Sequence, residues 1–204
     1  MNKSKFLLLA IPIFFLLSCA RMFIVNFQKF DDEFKNNTKI IARILLRPEE
    51  RGTEINYSQV IFERDISANQ DIVKAYFVIS RSTTSFKIEN LGYLKADNQS
   101  FEINVVGPVT EYKSRNHTSV STYAKTDSTG VKTGQTTDTD QQNWIDDKFI
   151  FTLTPEMIAK IKKSDEFIVR FYFGPIPATF KFRGPNLKPI HKVLNDTDAI
   201  LKEK

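Results

Sequence analysis

Phe167-Ile168-Val169-Arg170-Phe171-Tyr172-Phe173 is the stretch that decides the fold. Aromatic and β-branched residues fill both alternating sets of this run, and Arg170 alone interrupts one of them. Such residues suit a pleated, packed surface, and apolar side chains on both sets place the strand at a sheet centre. Gly174-Pro175 then turns the chain, so Ala178 to Arg183 can return as a last strand after Pro177. Arg170 itself reads as a strand-end or edge position with its guanidinium in water.

The residues before this run repeat the pattern. Lys148 to Leu153 places Phe149, Phe151 and Leu153 on one face of a strand. Thr154-Pro155-Glu156 is a helix start, with an N-cap hydroxyl, a proline at the first helical position and an acid in the first turn. Met157, Ile158 and Ile161 give that short helix an apolar side, and Lys162 and Lys163 suit the negative end of its dipole. Earlier strand candidates are Ile40 to Leu46, Ile55 to Glu63, Ile72 to Ile79, Phe86 to Lys95 and Phe101 to Val106. Polar turns separate them at Ser67 to Asp71 and Ala96 to Gln99, and Gly107-Pro108 ends the series. Ile72 to Ile79 is apolar on both alternate sets, which predicts a central strand covered on both faces. After the last strand, Ile190, Val193, Leu194, Thr197, Ile200 and Leu201 share one side of a helix over 189–204. No long helix separates the strands, so the expected fold is mainly β. It is an antiparallel β-sandwich-like domain over 39–188, with one short internal helix and a C-terminal helix.

Residues 109–143 break the rhythm. Thr, Ser, Asn, Asp, Gln and Lys dominate, and large apolar residues nearly vanish. Two readings stand: a long hairpin turning near Asp127-Ser128-Thr129-Gly130, or an unstructured loop too polar to offset its ordering entropy. A membrane-inserting arm would need an apolar lipid face, which Val120, Ala124 and Val131 are too few to supply.

The chain of 204 residues suits one domain, and its 18 phenylalanines must carry the core. The basic residues alternate with acidic ones without a dense Lys/Arg stripe, so no nucleic-acid partner is expected. The two histidines, His117 and His191, lie far apart in sequence, and no G-x-S-x-G elbow, H-E-x-x-H, cysteine pair or P-loop occurs. Asp138, Asp140, Asp146 and Asp147 cluster, yet their spacing fits no calcium loop, and they read as a solvated acidic edge. Glu49-Glu50 is an adjacent pair of the kind usually found on a surface. No catalytic residue, metal ligand or cofactor follows from these patterns.

The N-terminus carries the most specific signal. Lys3 and Lys5 precede an unbroken apolar run of 12 residues, Phe6 to Leu17. A spanning helix needs about 20 such residues, so the run is short for a bilayer and has the form of a secretory signal peptide, residues 1–18. The alternatives are an uncleaved anchor over Phe6 to Val25, interrupted by Pro12 and Arg21, or an ordinary signal with a chance cysteine. Leu16-Leu17-Ser18-Cys19 resembles the lipobox of bacterial lipoproteins, and Cys19 is the one cysteine in the chain. The resemblance implies cleavage between Ser18 and Cys19 and a diacylglyceryl group on the Cys19 sulfur. Ala20, in place of Asp, implies delivery to the outer membrane. Loss of Lys3 and Lys5 with the leader lowers the formal net charge from +5 to +3.

Residues 19–38 form the lipidated terminus and a lead-in. Phe23, Phe27, Phe30 and Phe34 recur there at helical spacing, which fits a helix lying on the membrane or, in the favoured reading, a strand or short helix packed on the domain. The expectation is therefore a lipid-anchored envelope protein that works by contact with a protein partner. The alternatives are a module binding a small ligand or envelope polymer in an aromatic pocket, and, third, an envelope hydrolase. The sequence leaves the membrane face and the oligomeric state open.

Overall fold

Two antiparallel sheets pack face to face in the computed structural model, which describes residues 26–82, 86–127 and 130–196, with backbone alone for 123–127 and 130–133. The larger sheet holds β1 (Asn26–Asp32), β2 (Asn37–Leu46), β3 (Ile55–Ser67), β4 (Gln70–Arg81), β7 (Val106–Asp127) and β8 (Gly130–Thr152) in the order β1-β2-β3-β4-β8-β7. The smaller holds β5 (Leu91–Ala96), β6 (Gln99–Asn104), β9 (Glu166–Phe173) and β10 (Ile176–Arg183) in the order β10-β9-β5-β6. Helix α1 (Pro155–Lys163) joins β8 to β9, and α2 (Leu187–Asn195) follows β10 after a 3-10 turn at Gly184–Asn186. The fold is β-sandwich-like, as the strand rhythm predicts.

Phenylalanine fills the space between the sheets. Phe77 on β4 meets Phe149 at 5.6 Å and Phe171 on the opposing β9 at 5.0 Å between ring centroids. Phe62, Phe167 and Phe182 form a second nest. Edge-to-face and offset pairs of this kind add to area burial. Gly92 on β5 is required by this packing: a Cβ there would lie 2.7 Å from the Phe171 ring. The Asp97-Asn98 turn between β5 and β6 has both residues at positive φ, +48° and +59°, as a two-residue hairpin turn demands.

The two helices close the sandwich as their sequences direct. The Thr154 hydroxyl accepts from the Met157 amide at the start of α1, and Met157 and Ile161 are buried. Helix α2 buries Leu187, Pro189, Ile190, Val193 and Leu194. Arg64 on β3 donates to the carbonyls of Val193, Leu194 and Asp196 at the end of α2, and makes a two-pronged bond with Asp71. A cation at a helix C-terminus matches the dipole there.

Several expectations need correction. The lead-in is not among them: as in the favoured reading its described part packs on the domain as a strand, β1, at the sheet edge, with Phe27 against a small cluster of Ile40, Ala42, Ile66 and Val193 and with Phe30 and Phe34 exposed. Pairing with β2 outweighs the weak amphipathic pattern that the helical alternative rested on. β4 is interior but covered on one face only; Val73, Ala75, Phe77 and Ile79 are buried while Ile72, Tyr76 and Val78 are half-exposed. Only Leu91 to Ala96 of the Phe86–Lys95 candidate pairs as a strand, with Ile88 making one bridge to Phe173. Gly107-Pro108 does not end a strand run but forms a bulge at the start of β7, where an edge strand tolerates proline. Arg170 is neither at a strand end nor on an edge strand: it sits mid-strand on the solvent face of β9, and its Nε donates to Thr179 Oγ1 at 2.8 Å. The terminal helix runs over Leu187–Asn195 and not from Pro189; Thr197, Ile200 and Leu201 lie outside the described residues, as do Ser18, Cys19 and Phe23.

Candidate functional site: the projecting ribbon

β8 pairs with β4 only from Ile145 to Thr152, yet it pairs with β7 almost to the turn. From Lys113 and Trp144 outward, the two strands therefore continue as a free two-stranded ribbon, residues 113–127 against 130–144. At ~3.3 Å per residue, fifteen residues per strand reach roughly 50 Å beyond the sheet. Of the two readings of 109–143, the hairpin is the one formed. The chain enters the sheet part-way along it, since Asn26 lies opposite Arg43 and level with Ile150 of β8, and β1 runs away from the end where the ribbon leaves.

The root of the ribbon is fastened on both faces. On the core side, Arg81 Nε donates to Asp147 Oδ2 at 2.5 Å, and Thr110 Oγ1 donates to Asp147 Oδ1 at 2.7 Å. The Arg81 guanidinium also lies 4.9 Å from the centre of the Phe173 ring. Both members of this ion pair are buried, so removal of Arg81 takes the cation from a buried carboxylate. On the other face Ser80 bonds Asp146, and Lys113 and Lys148 both pair with Glu111. The hydrogen bonds from Lys113 and Lys148 hold the Glu111 carboxyl down at about 2, so it stays ionised across ordinary pH.

Beyond the root, the two faces differ in kind. Strand alternation and the cross-strand register put Lys113, Arg115, His117, Ser119 and Ser121 with Trp144, Gln142, Asp140, Asp138 and Thr136 on one face. Ser114, Asn116, Thr118, Val120 and Thr122 share the other with Asn143, Gln141, Thr139, Thr137 and Gln135. Every charged side chain described on this part of the ribbon is on the first face. The second is uncharged and exposed throughout, and it continues the side of β8 that carries Ile145, Asp147, Phe149 and Phe151 into the core.

The sequence-predicted residues fall into place on this frame. The aspartate cluster does not converge: Asp146 and Asp147 point to opposite faces of β8, and Asp138 and Asp140 follow one another along the ribbon. Glu49 and Glu50 both lie against β10 through Thr179. The Thr179 amide donates to Glu50 Oε2 and the Glu49 amide to the Thr179 carbonyl, so their loop covers the free edge of β10. His117 stands on the charged face of the ribbon, and the His191 ring bonds the Ile161 carbonyl at the end of α1. No deep aromatic pocket lies among the described residues; eight of the largest fully buried side chains are the phenylalanines that fill the interior. Open grooves lie on the surface, two of them near the ribbon end of the larger sheet. One of about 530 Å³ flanks the ribbon root, where the indole N–H of Trp144 has no partner among the described residues. The other, about 920 Å³, lies beside Leu46, Ile55, Arg47 and Arg183. Sequence reasoning missed the facial division of the ribbon, although the alternation of charge is legible once the hairpin register is known.

Comparison with protein-family models, with curated proteins and with solved structures gives no match to this chain.

Proposed function

We propose that this chain is a lipid-anchored lipoprotein of the bacterial outer membrane that works by contact, with the ribbon as its contact element and without catalysis. The observation that carries the reading is the ribbon itself. Roughly 50 Å of paired strand with no core beneath it is far more than a sandwich needs to close. The filled interior supports contact over ligand enclosure. The lipobox-like Leu16-Leu17-Ser18-Cys19 supports the anchor, and a Cys19 diacylglyceryl group plus N-terminal acylation holds a protein at a bilayer without a spanning helix.

Formaldehyde crosslinking of intact cells tests this. The natural chain is expected to give discrete higher-mass adducts, and a chain with 114–143 replaced by a short turn is expected to lose them while keeping its fold. Adducts that survive the excision remove the ribbon as the contact element. A second reading has one observation in its favour. Arg47 and Arg183 line an apolar-floored groove, and neither forms an ion pair among the described residues, which suits an anionic amphiphile. Titration with a short-chain phosphatidic acid checks it: saturable binding that an Arg47→Ala, Arg183→Ala chain loses supports a ligand role, and no binding removes it.

A further inference from the structure

A two-stranded ribbon standing alone in water is marginally stable at best. This one has no row of apolar cross-strand pairs to hold it: opposite residues are Asn116 and Gln141, Thr118 and Thr139, Val120 and Thr137, Thr122 and Gln135. Order along so long a ribbon calls for a layer against one of its faces. The faces are not equivalent candidates. Covering the charged face would desolvate Lys113, Arg115, Asp138 and Asp140, at several kcal/mol for each charge left unpaired. Covering the other desolvates only hydroxyls, carboxamides and one valine. That face is also the continuation of the one already buried against the smaller sheet nearer the root.

We propose that the uncharged face of the ribbon is a self-association surface, occupied by the same face of a second copy of this chain. Charge and hydrogen-bonding chemistry select that occupant. A hydroxyl and a carboxamide each carry donor and acceptor, so a face built from Ser, Thr, Asn and Gln satisfies its own copy across a two-fold axis. A face without charge also meets itself without repulsion. The inference rests on the reading of the ribbon as a contact element and names the partner. Two strands over residues 113–127 and 130–144 offer a footprint of roughly 500 Å² per copy at ~3.3 Å per residue. That is at the low end for specific interfaces, so the association is weak in dilute solution and is favoured by confinement to one membrane.

Single-cysteine variants in intact cells, treated with a short bismaleimide, decide the matter. In the lipoprotein reading the Cys19 sulfur is a thioether and does not react, so the introduced thiol is the reactive one. Thr118→Cys and Thr139→Cys on the uncharged face should each give a homodimer band. Ser119→Cys and Thr136→Cys on the charged face should give about tenfold less, read as the increase over the parent chain. Adding Thr137→Lys to the Thr139→Cys chain should lower its dimer band by about tenfold. All of these positions are exposed, so the variants test contact and not folding. Equal dimer yield from both faces, or no dimer from either, overturns the proposal. So does an adduct with a different protein on the uncharged face, although that outcome leaves the ribbon a contact element. A dimer band from the parent would reveal a free Cys19, which counts against the anchor and not against the face.

Discussion

At the scale of single residues, Arg64 has the widest reach. Its guanidinium joins β3 to Asp71 and to three carbonyls at the end of α2, and it is nearly buried. The hydrogen bond from Arg64 holds the Asp71 carboxyl below its ordinary range against the opposing effect of burial, and Asp71 correspondingly raises Arg64. A carboxylate depressed in the folded state contributes its full stability above its unfolded value, about 4, and loses it as the pH falls through the lower folded value. Urea unfolding at pH 7 and pH 3 should therefore show an acid loss that is smaller in Asp71→Asn, and Arg64→Ala should be destabilised at both pH values. Gly92 acts through space and not charge. With the Phe171 ring 2.7 Å from the place an alanine methyl would occupy, Gly92→Ala should lower stability by about 1–3 kcal/mol in the same assay.

At the scale of elements, the ribbon and the sandwich are separable in energy. Among the described side chains the ribbon beyond Trp144 buries none against the core, whereas β8 below it carries Phe149 and Phe151 into the interior. Replacing 114–143 by a short turn should leave the thermal midpoint of the sandwich within about 2–4 °C of the parent, a shift worth about 1 kcal/mol, as calorimetry would show. Breaking the root is different. Arg81→Ala leaves the Asp147 carboxylate buried without its cation and should cost about 3–5 kcal/mol, measured by the same scan. If the two changes had equal effects, the root clamp would not be what joins arm and body.

At the scale of the whole molecule, the ribbon and the groove at Arg47 lie toward one end of the larger sheet, and the chain enters part-way along it at Asn26. No helix among the described residues is long and apolar enough to cross a membrane. An anchor at Cys19 would hold Asn26 within about 25 Å of the bilayer, since seven residues span at most about 3.6 Å each. Labelled palmitate should enter the natural chain and not Cys19→Ala; incorporation into the variant would place the acyl chain elsewhere. Lipidation and the ribbon remain independent tests, because a soluble chain could still self-associate.

Local chemistry determined much of this protein in advance. Phe167 to Phe173 specified an interior strand, Thr154-Pro155 a helix start and Asp97-Asn98 a turn, because each depends on backbone preferences and on neighbours within a few residues. Tertiary structure decided what depends on partners distant in the chain. It paired Asn26–Asp32 with β2 although the phenylalanine spacing there was helical, left one face of β4 open, and gave Glu50 the edge of β10 to guard. It also turned the polar segment into a ribbon. Alternation of charge over 113–144 has no meaning until a cross-strand register exists, and that register is set at the root by Arg81, Thr110 and Asp147, three residues from three strands.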